Sequence, residues 1–215
     1  MSPRIGILGG TLDPIHCGHV DAATGTRDAL ALDRVLVLPS RVPPHRPAQP
    51  LASPFHRFAM AALAVNGIDR LEASDSELCA PGPSYTADTL DRLHQAGLAP
   101  TQIFFITGVD AFAEIATWRR YPAVLDLAHF VVISRPGHEL PMLRQRLPEL
   151  ASRMHDAGTA NAVPPTPSIL LVSGRTADVS STVIRERLRR GERVSGLVPP
   201  LVEQHIVQHG LYRPA

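Results

Sequence analysis

Two histidines three residues apart, His16 and His19, open a stretch with helical spacing, and the pair Gly9-Gly10 precedes them at the end of a β-branched run. Imidazoles at positions i and i+3 lie near one face of a helix. Beside them are the N–H groups and positive dipole end of a helix N-terminus, which favour an anion such as phosphate. Gly18, between the two rings, offers no side chain to block it. A metal site is the rival reading, but neither an HExxH pattern nor a carboxylate-rich neighbourhood supports zinc. On these residues alone, an anion site and ordinary structural histidines remain balanced. The glycine spacing fits neither the dinucleotide fingerprint GxGxxG nor a P-loop, which disfavours a Rossmann oxidoreductase.

A second constellation lies far along the chain, where Ser180-Ser181-Thr182 opens a helix that carries Arg185 one turn on. One such hydroxyl is ordinarily an N-cap; three, followed by an arginine, also suit a triphosphate. All 21 basic residues are arginine. A Schiff-base lysine and a Walker-type lysine are therefore excluded, and any phosphate must be held by Arg, His and backbone N–H groups. Three further places draw attention. Pro39-Ser40-Arg41-Val42-Pro43-Pro44-His45-Arg46 is a stiff, basic loop, Ser84-Tyr85-Thr86 precedes a helix, and Trp118 is the single tryptophan, by itself a core-packing residue.

The elements that must position these residues alternate. Strands are predicted at 5–8, 35–38, 71–73, 103–107, 130–133 and 169–172, and helices near 18–31, 54–65, 87–96, 111–115, 140–154, 181–190 and 200–209. Ser53-Pro54 reads as an N-cap with proline at the first helical position, and Gly97 as a helix stop. Such alternation argues for an α/β fold: a doubly wound, mostly parallel, Rossmann-like sheet with helices on both faces and a small C-terminal helical part. The 215 residues suit one domain, with a helical subregion at about 180–215, and residues 156–167 read as a mobile Pro-rich excursion. Ligands collect at the C-terminal ends of the strands in such sheets. A net charge of +1 gives no reason to propose nucleic acid, no apolar run could span a membrane, and two cysteines build no disulfide framework. The expected location is the cytoplasm.

Gly9-Gly10-Thr11-Leu12-Asp13-Pro14-Ile15-His16-Cys17-Gly18-His19 resembles the GG-T-F-D-P-x-H-x-G-H signature of the HxGH nucleotidyltransferase superfamily, with Leu12 where phenylalanine is usual. Val179-Ser180-Ser181-Thr182-Val183-Ile184-Arg185 resembles its second signature, I-S-S-T-x-I-R. Within the superfamily, several stretches are similar to the bacterial nicotinate mononucleotide adenylyltransferases: residues 39–46, Pro83-Ser84-Tyr85-Thr86-Ala87-Asp88-Thr89-Leu90, Gly108-Val109-Asp110, Thr117-Trp118-Arg119, Ser134-Arg135-Pro136-Gly137, and the C-terminal Val198-Pro199 and His209-Gly210-Leu211-Tyr212.

The resemblance implies adenylyl transfer from ATP to nicotinate mononucleotide, giving nicotinate adenine dinucleotide and pyrophosphate in NAD synthesis, with Mg²⁺ accompanying ATP. It implies that His16, His19 and Arg185 are catalytic, the histidines on the α- and β-phosphates and Arg185 on the leaving pyrophosphate. Gly9, Gly10, Thr11, Gly18, Gly108, Asp110, Ser180, Ser181 and Thr182 would complete the ATP site. The mononucleotide would meet Thr11, Ser40, His45, Arg46, Ser84, Tyr85, Thr86, Trp118 and Arg135, with N–H groups around Tyr85-Thr86 taking the nicotinate carboxylate and Trp118 stacking on the pyridine ring. No protein ligand to a metal is implied. Cys17 would bring a thiol near the nucleotide. Alternatives are a sibling transferase acting on nicotinamide mononucleotide or phosphopantetheine, and a non-catalytic nucleotide-binding protein; a homo-oligomer stays open.

Overall fold

The computed structural model describes residues 2–44, 51–134, 140–157, 163–174 and 176–213. Seven strands form a wholly parallel sheet: β1 (Ile5–Gly10), β2 (Arg34–Pro39), β3 (Leu71–Ala73), β4 (Ile103–Gly108), β5 (His129–Ile133), β6 (Met154–Asp156) and β7 (Ile169–Val172), in the order β3-β2-β1-β4-β5-β7-β6. The order reverses beside β1, because β2 and β4 flank it on opposite edges. A crevice opens there, at the carboxyl ends of β1 and β4.

Side-chain alternation along the central strands explains the two-sided core. Leu8, Phe104, Ile106, Val131 and Ile133 face one apolar cluster, and Ile5, Ile7, Phe105, Phe130 and Val132 face the other. The first cluster is covered by α1 (Cys17–Ala29), α2 (Pro54–Val65), α6 (Ser181–Arg189) and α7 (Pro200–Gln208), the second by α3 (Thr86–Gln95), α4 (Val109–Phe112) and α5 (Leu140–Arg146). The helix signals behave as their chemistry requires. The Ser53 hydroxyl accepts from the His56 N–H at 3.2 Å ahead of Pro54. Gly97, at φ +96°, ends the turn after α3.

Three expectations are corrected. The helix predicted at 140–154 stops at Arg146, since Pro148 starts a separate 3₁₀ segment, Pro148–Arg153. That segment leads into β6, a strand the sequence pattern hid: it has three residues, and only Met154 is buried. The helix at 111–115 is instead α4 followed by a 3₁₀ turn at Ile115–Thr117. Residues 158–162, the centre of the predicted excursion, lie outside the described residues; at its edges Asp156 belongs to β6, the Ala157 N–H donates to the Leu171 carbonyl at 2.8 Å, and Val163 packs on the first core cluster. Among the described residues, no helix is long and apolar enough to cross a membrane.

Candidate active site

At the exit of β1 the chain turns sharply, and Leu12 takes φ +51°, a left-handed conformation unfavourable for a residue with a bulky side chain. Four partners hold the turn. The Asp13 carboxylate, 2% exposed, accepts from the Leu51 N–H at 2.8 Å, the Ala52 N–H at 3.1 Å and the Tyr212 hydroxyl at 2.7 Å. Arg57, wholly buried on α2, donates to the carbonyls of Thr11 (2.7 Å), Arg41 (3.2 Å) and Ala52 (3.2 Å). Burial pushes the Arg57 pKa down and the Asp13 charge opposes it. Burial, then the neighbouring Asp13 charge, pushes the Tyr212 pKa far up, so its hydroxyl stays a donor. The turn is thus fixed by groups from α2 and the C-terminus before any ligand arrives.

His16 is the N-cap residue of α1, and its backbone N–H donates to Nδ1 of His19 at 3.2 Å. The rings lie 3.7 Å apart, tilted by 30°. Because Nδ1 of His19 accepts, the neutral ring carries its proton on Nε2, which can then donate. Gly18 is required by packing: an added Cβ would lie 3.0 Å from the Ala177 carbonyl and 3.2 Å from the His16 ring. Cys17 departs from expectation. Its thiol lies 3.6 Å from the Gly196 carbonyl, is absent from the cavity lining, and is pushed up in pKa by burial and then by Asp21. A thiol so held is a poor nucleophile.

The α6 N-terminus meets this turn. Ser180 is an N-cap whose hydroxyl accepts from the Val183 N–H at 3.3 Å. The Ser181 hydroxyl donates to the Pro14 carbonyl at 2.9 Å, and that of Thr182 accepts from Arg185 at 3.3 Å. All three hydroxyls therefore have structural partners, and α6 presents its first-turn N–H groups to a ligand. Arg185 is 4% exposed and donates to the Asp13 carbonyl at 2.7 Å.

These groups line one end of a cavity of about 700 Å³. Its other end is formed by Ser40, Ser84, Tyr85, Thr86, Ala87, Trp118 and Arg119, with Gly108 and Asp110 between. Trp118 packs edge-on against Phe105 and Phe130, with centroids 6.0 and 6.3 Å away, and stays half-buried in the wall; it is both core and lining. The Tyr85 N–H donates to the Pro83 carbonyl at 3.0 Å. The first helical N–H groups of α3, those of Thr86 and Ala87, are the ones without an intrahelical acceptor. The Arg119 guanidinium lies 4.8 Å over the Tyr85 ring and 3.0 Å from Asp88. The Ser40 and Thr176 hydroxyls are buried in the wall without a hydrogen-bond partner among the described residues.

The cavity thus gathers Gly9, Gly10, Thr11, His16, Gly18, His19, Ser40, Ser84, Tyr85, Thr86, Gly108, Asp110, Trp118, Ser180, Ser181 and Thr182. Arg185 is not in its lining, and His45, Arg46 and Arg135 lie outside the described residues. Sequence reasoning missed Thr176, Arg119 and the supports Arg57 and Tyr212. For Tyr212 the signal was an aromatic hydroxyl at the chain end with no local partner. For Arg57 it was an arginine on the apolar face of α2.

The chain matches the Cytidylyltransferase-like family over residues 7–187. It is 39% identical over 217 residues to a protein of Desulfatibacillum aliphaticivorans named probable nicotinate-nucleotide adenylyltransferase, covering 97% of this chain and 99% of that one. A Roseiflexus sp. protein of the same name is 42% identical, covering 99% of each. The fold is similar to Plasmodium falciparum nicotinic acid mononucleotide adenylyltransferase complexed with NaAD, with a TM-score of 0.76, 18% identity, and coverage of 98% of this chain and 97% of that one. The chain belongs to the Cytidylyltransferase-like family and, within it, to the nicotinate-nucleotide adenylyltransferases.

Proposed function

We propose that this chain transfers the adenylyl group of MgATP to nicotinate mononucleotide, forming nicotinate adenine dinucleotide and pyrophosphate. The observation that carries it is one cavity with an anion-binding, two-helix end at His16, His19 and the α6 N-terminus, and an aromatic, N–H-donating end at Thr86, Ala87 and Trp118.

The mononucleotide phosphate is already an anionic nucleophile, so no side chain need attack. Its oxygen attacks the α-phosphorus of ATP in line, a P–O bond forms, and the α–β bridging bond breaks to release pyrophosphate. Charge grows on the bridging and non-bridging oxygens. The His19 Nε2–H, the Gly18 N–H and the first N–H groups of α6 face that charge and are already oriented, while the Cys17 N–H is spent on the Leu197 carbonyl; preorganised donors of this kind are where electrostatic catalysis gains. The donors at this end are those of an anion site, so Mg²⁺ is treated as part of the ATP substrate, held by phosphate oxygens and water. Arg185 acts in this reading by positioning the turn through the Asp13 carbonyl. At the other end the α3 N-terminus takes the carboxylate, and Trp118 stacks on the pyridine ring. The Ser40 and Thr176 hydroxyls await polar groups of substrate. Their orphaned burial is hard to account for otherwise.

Residues 1–215 act in this reading as one nucleotidyltransferase domain, with helical subregion 180–215 packed on the first core cluster. Its place is the cytoplasm, where the two free cysteines would stay reduced. The test is pyrophosphate release with ATP and each of nicotinate mononucleotide, nicotinamide mononucleotide and phosphopantetheine. The carboxylate contact predicts a kcat/KM preference for the nicotinate form of at least about tenfold, the size of one charge-assisted hydrogen bond. Equal values for the two mononucleotides would refute the α3 assignment, and no turnover with either would refute the function.

A further inference from the structure

Away from the cavity, His56 on α2 meets His205 on α7 and His209 just past its end. Nδ1 of His56 lies 3.1 Å from Nε2 of His205. The ring centroids of His209 lie 4.9 Å from His56 and 4.4 Å from His205, and one ring nitrogen from each of the three falls within 4.8 Å of the others. From this geometry we infer a divalent transition-metal site, with His56, His205 and His209 as protein ligands and water on the exposed side.

The distances suit the chemistry. Zn–N bonds of about 2.0–2.1 Å separate neighbouring nitrogens by about 2.9 Å in octahedral geometry and about 3.3 Å in tetrahedral geometry. The His56–His205 pair already falls in that range. His209 is exposed at the end of α7, so its ring can turn inward by the remaining ångström or so. His205 and His209, four residues apart, share one helix face. They stand at the negative end of the α7 dipole, which favours a cation. Three imidazoles without thiolate select Zn²⁺, Ni²⁺, Co²⁺ or Cu²⁺ over Mg²⁺ and Ca²⁺.

The location gives the site a consequence. His56 precedes Arg57, which holds the Thr11 carbonyl, and His209 is three residues before Tyr212, which holds the Asp13 carboxylate. An ion joining α2 to α7 would clamp together the two elements that support the turn leading to His16.

The tag-free full chain, stripped with a chelator, is titrated with Zn²⁺ alone by calorimetry and with Co²⁺ followed by its visible absorption, and Tm is read with and without Zn²⁺. One equivalent should bind and raise Tm. Binding should weaken by at least about tenfold in both His56→Ala and His209→Ala, and survive in His19→Ala. His209 is exposed, so His209→Ala retains the fold, which circular dichroism checks. A merely hydrogen-bonded trio would leave the wild type without stoichiometric binding. That result, or variant affinities within about threefold of wild type, overturns the proposal.

Discussion

Replacing Tyr212 by phenylalanine removes one oxygen, and that oxygen donates at 2.7 Å to a carboxylate 2% exposed to solvent. The ring itself is 8% exposed and packs in the first core cluster, so its burial is retained in the variant. A hydrogen bond to a charged acceptor contributes about 1.5–3 kcal/mol, and the Asp13 Oδ1 it leaves behind keeps only the longer contact from Ala52, at 3.1 Å. Water cannot easily replace the donor at such a depth. We expect a loss of about 2 kcal/mol in urea denaturation and, for a chain of this size, a Tm lower by about 4–8 °C. A double-mutant cycle with Asp13→Asn should give a coupling energy of about 1.5 kcal/mol or more, since the two side chains share one bond. Activity should fall too. The Asp13 main chain anchors Arg185 and leads directly to His16, and a small displacement of groups that stabilise charge costs about tenfold or more in kcat/KM. Additive stabilities in the cycle, with Tm within a degree of wild type, would refute the claim that the C-terminus holds the catalytic turn.

His19→Ala should keep its circular dichroism and Tm but lose about 10²–10³ in kcat, the range for one preorganised donor; turnover within a few-fold of wild type would remove His19 from the mechanism. His129 supplies a pH dependence. Its ring is fully buried against Phe104, Nδ1 accepts from the Ser168 N–H, and burial first, then Arg4 and His155, pushes its pKa down to about 4. Between the unfolded value near 6.5 and that value the unfolded chain binds a proton the folded chain refuses, so stability drops as the pH is lowered through this window, by at most about 3–4 kcal/mol. Urea denaturation at pH 7.5 and pH 4.5 should show a smaller loss for His129→Phe than for wild type, and equal losses would refute the assignment.

The parts of the molecule legible in sequence were those whose meaning is local. Five of the seven strands carry apolar runs long enough to read, and Ser53-Pro54 and Gly97 announce helix ends through local chemistry alone. Sixteen of the residues that line the cavity were named because they fall in a few short motif stretches that carry the family resemblance. β6 escaped because Met154 is followed by the polar His155 and Asp156, whereas β3, equally short, keeps the alternation of Leu71, Glu72 and Ala73. Arg185 was legible as an arginine one turn into α6, but its bond to the Asp13 carbonyl, 172 residues away, was not.

The residues that decide the site's precision are the ones with the largest sequence separations. Asp13 is bonded to Tyr212 at a separation of 199, to Leu51 at 38 and, through its carbonyl, to Arg185 at 172. Each reads locally as something ordinary: an acid before a proline, an aromatic near the chain end, an arginine on a helix. Together they hold Leu12 at φ +51°, which costs about 1 kcal/mol or more and persists only where its surroundings over-determine it. A turn held this way need not reorganise as charge develops on the transferring phosphate, which is the condition under which fixed donors accelerate the reaction. On the proposed mechanism the supports are therefore as much a part of the catalytic device as the histidines. The order of effects should follow: loss of His19 lowers kcat and spares stability, whereas loss of the Tyr212 hydroxyl lowers both.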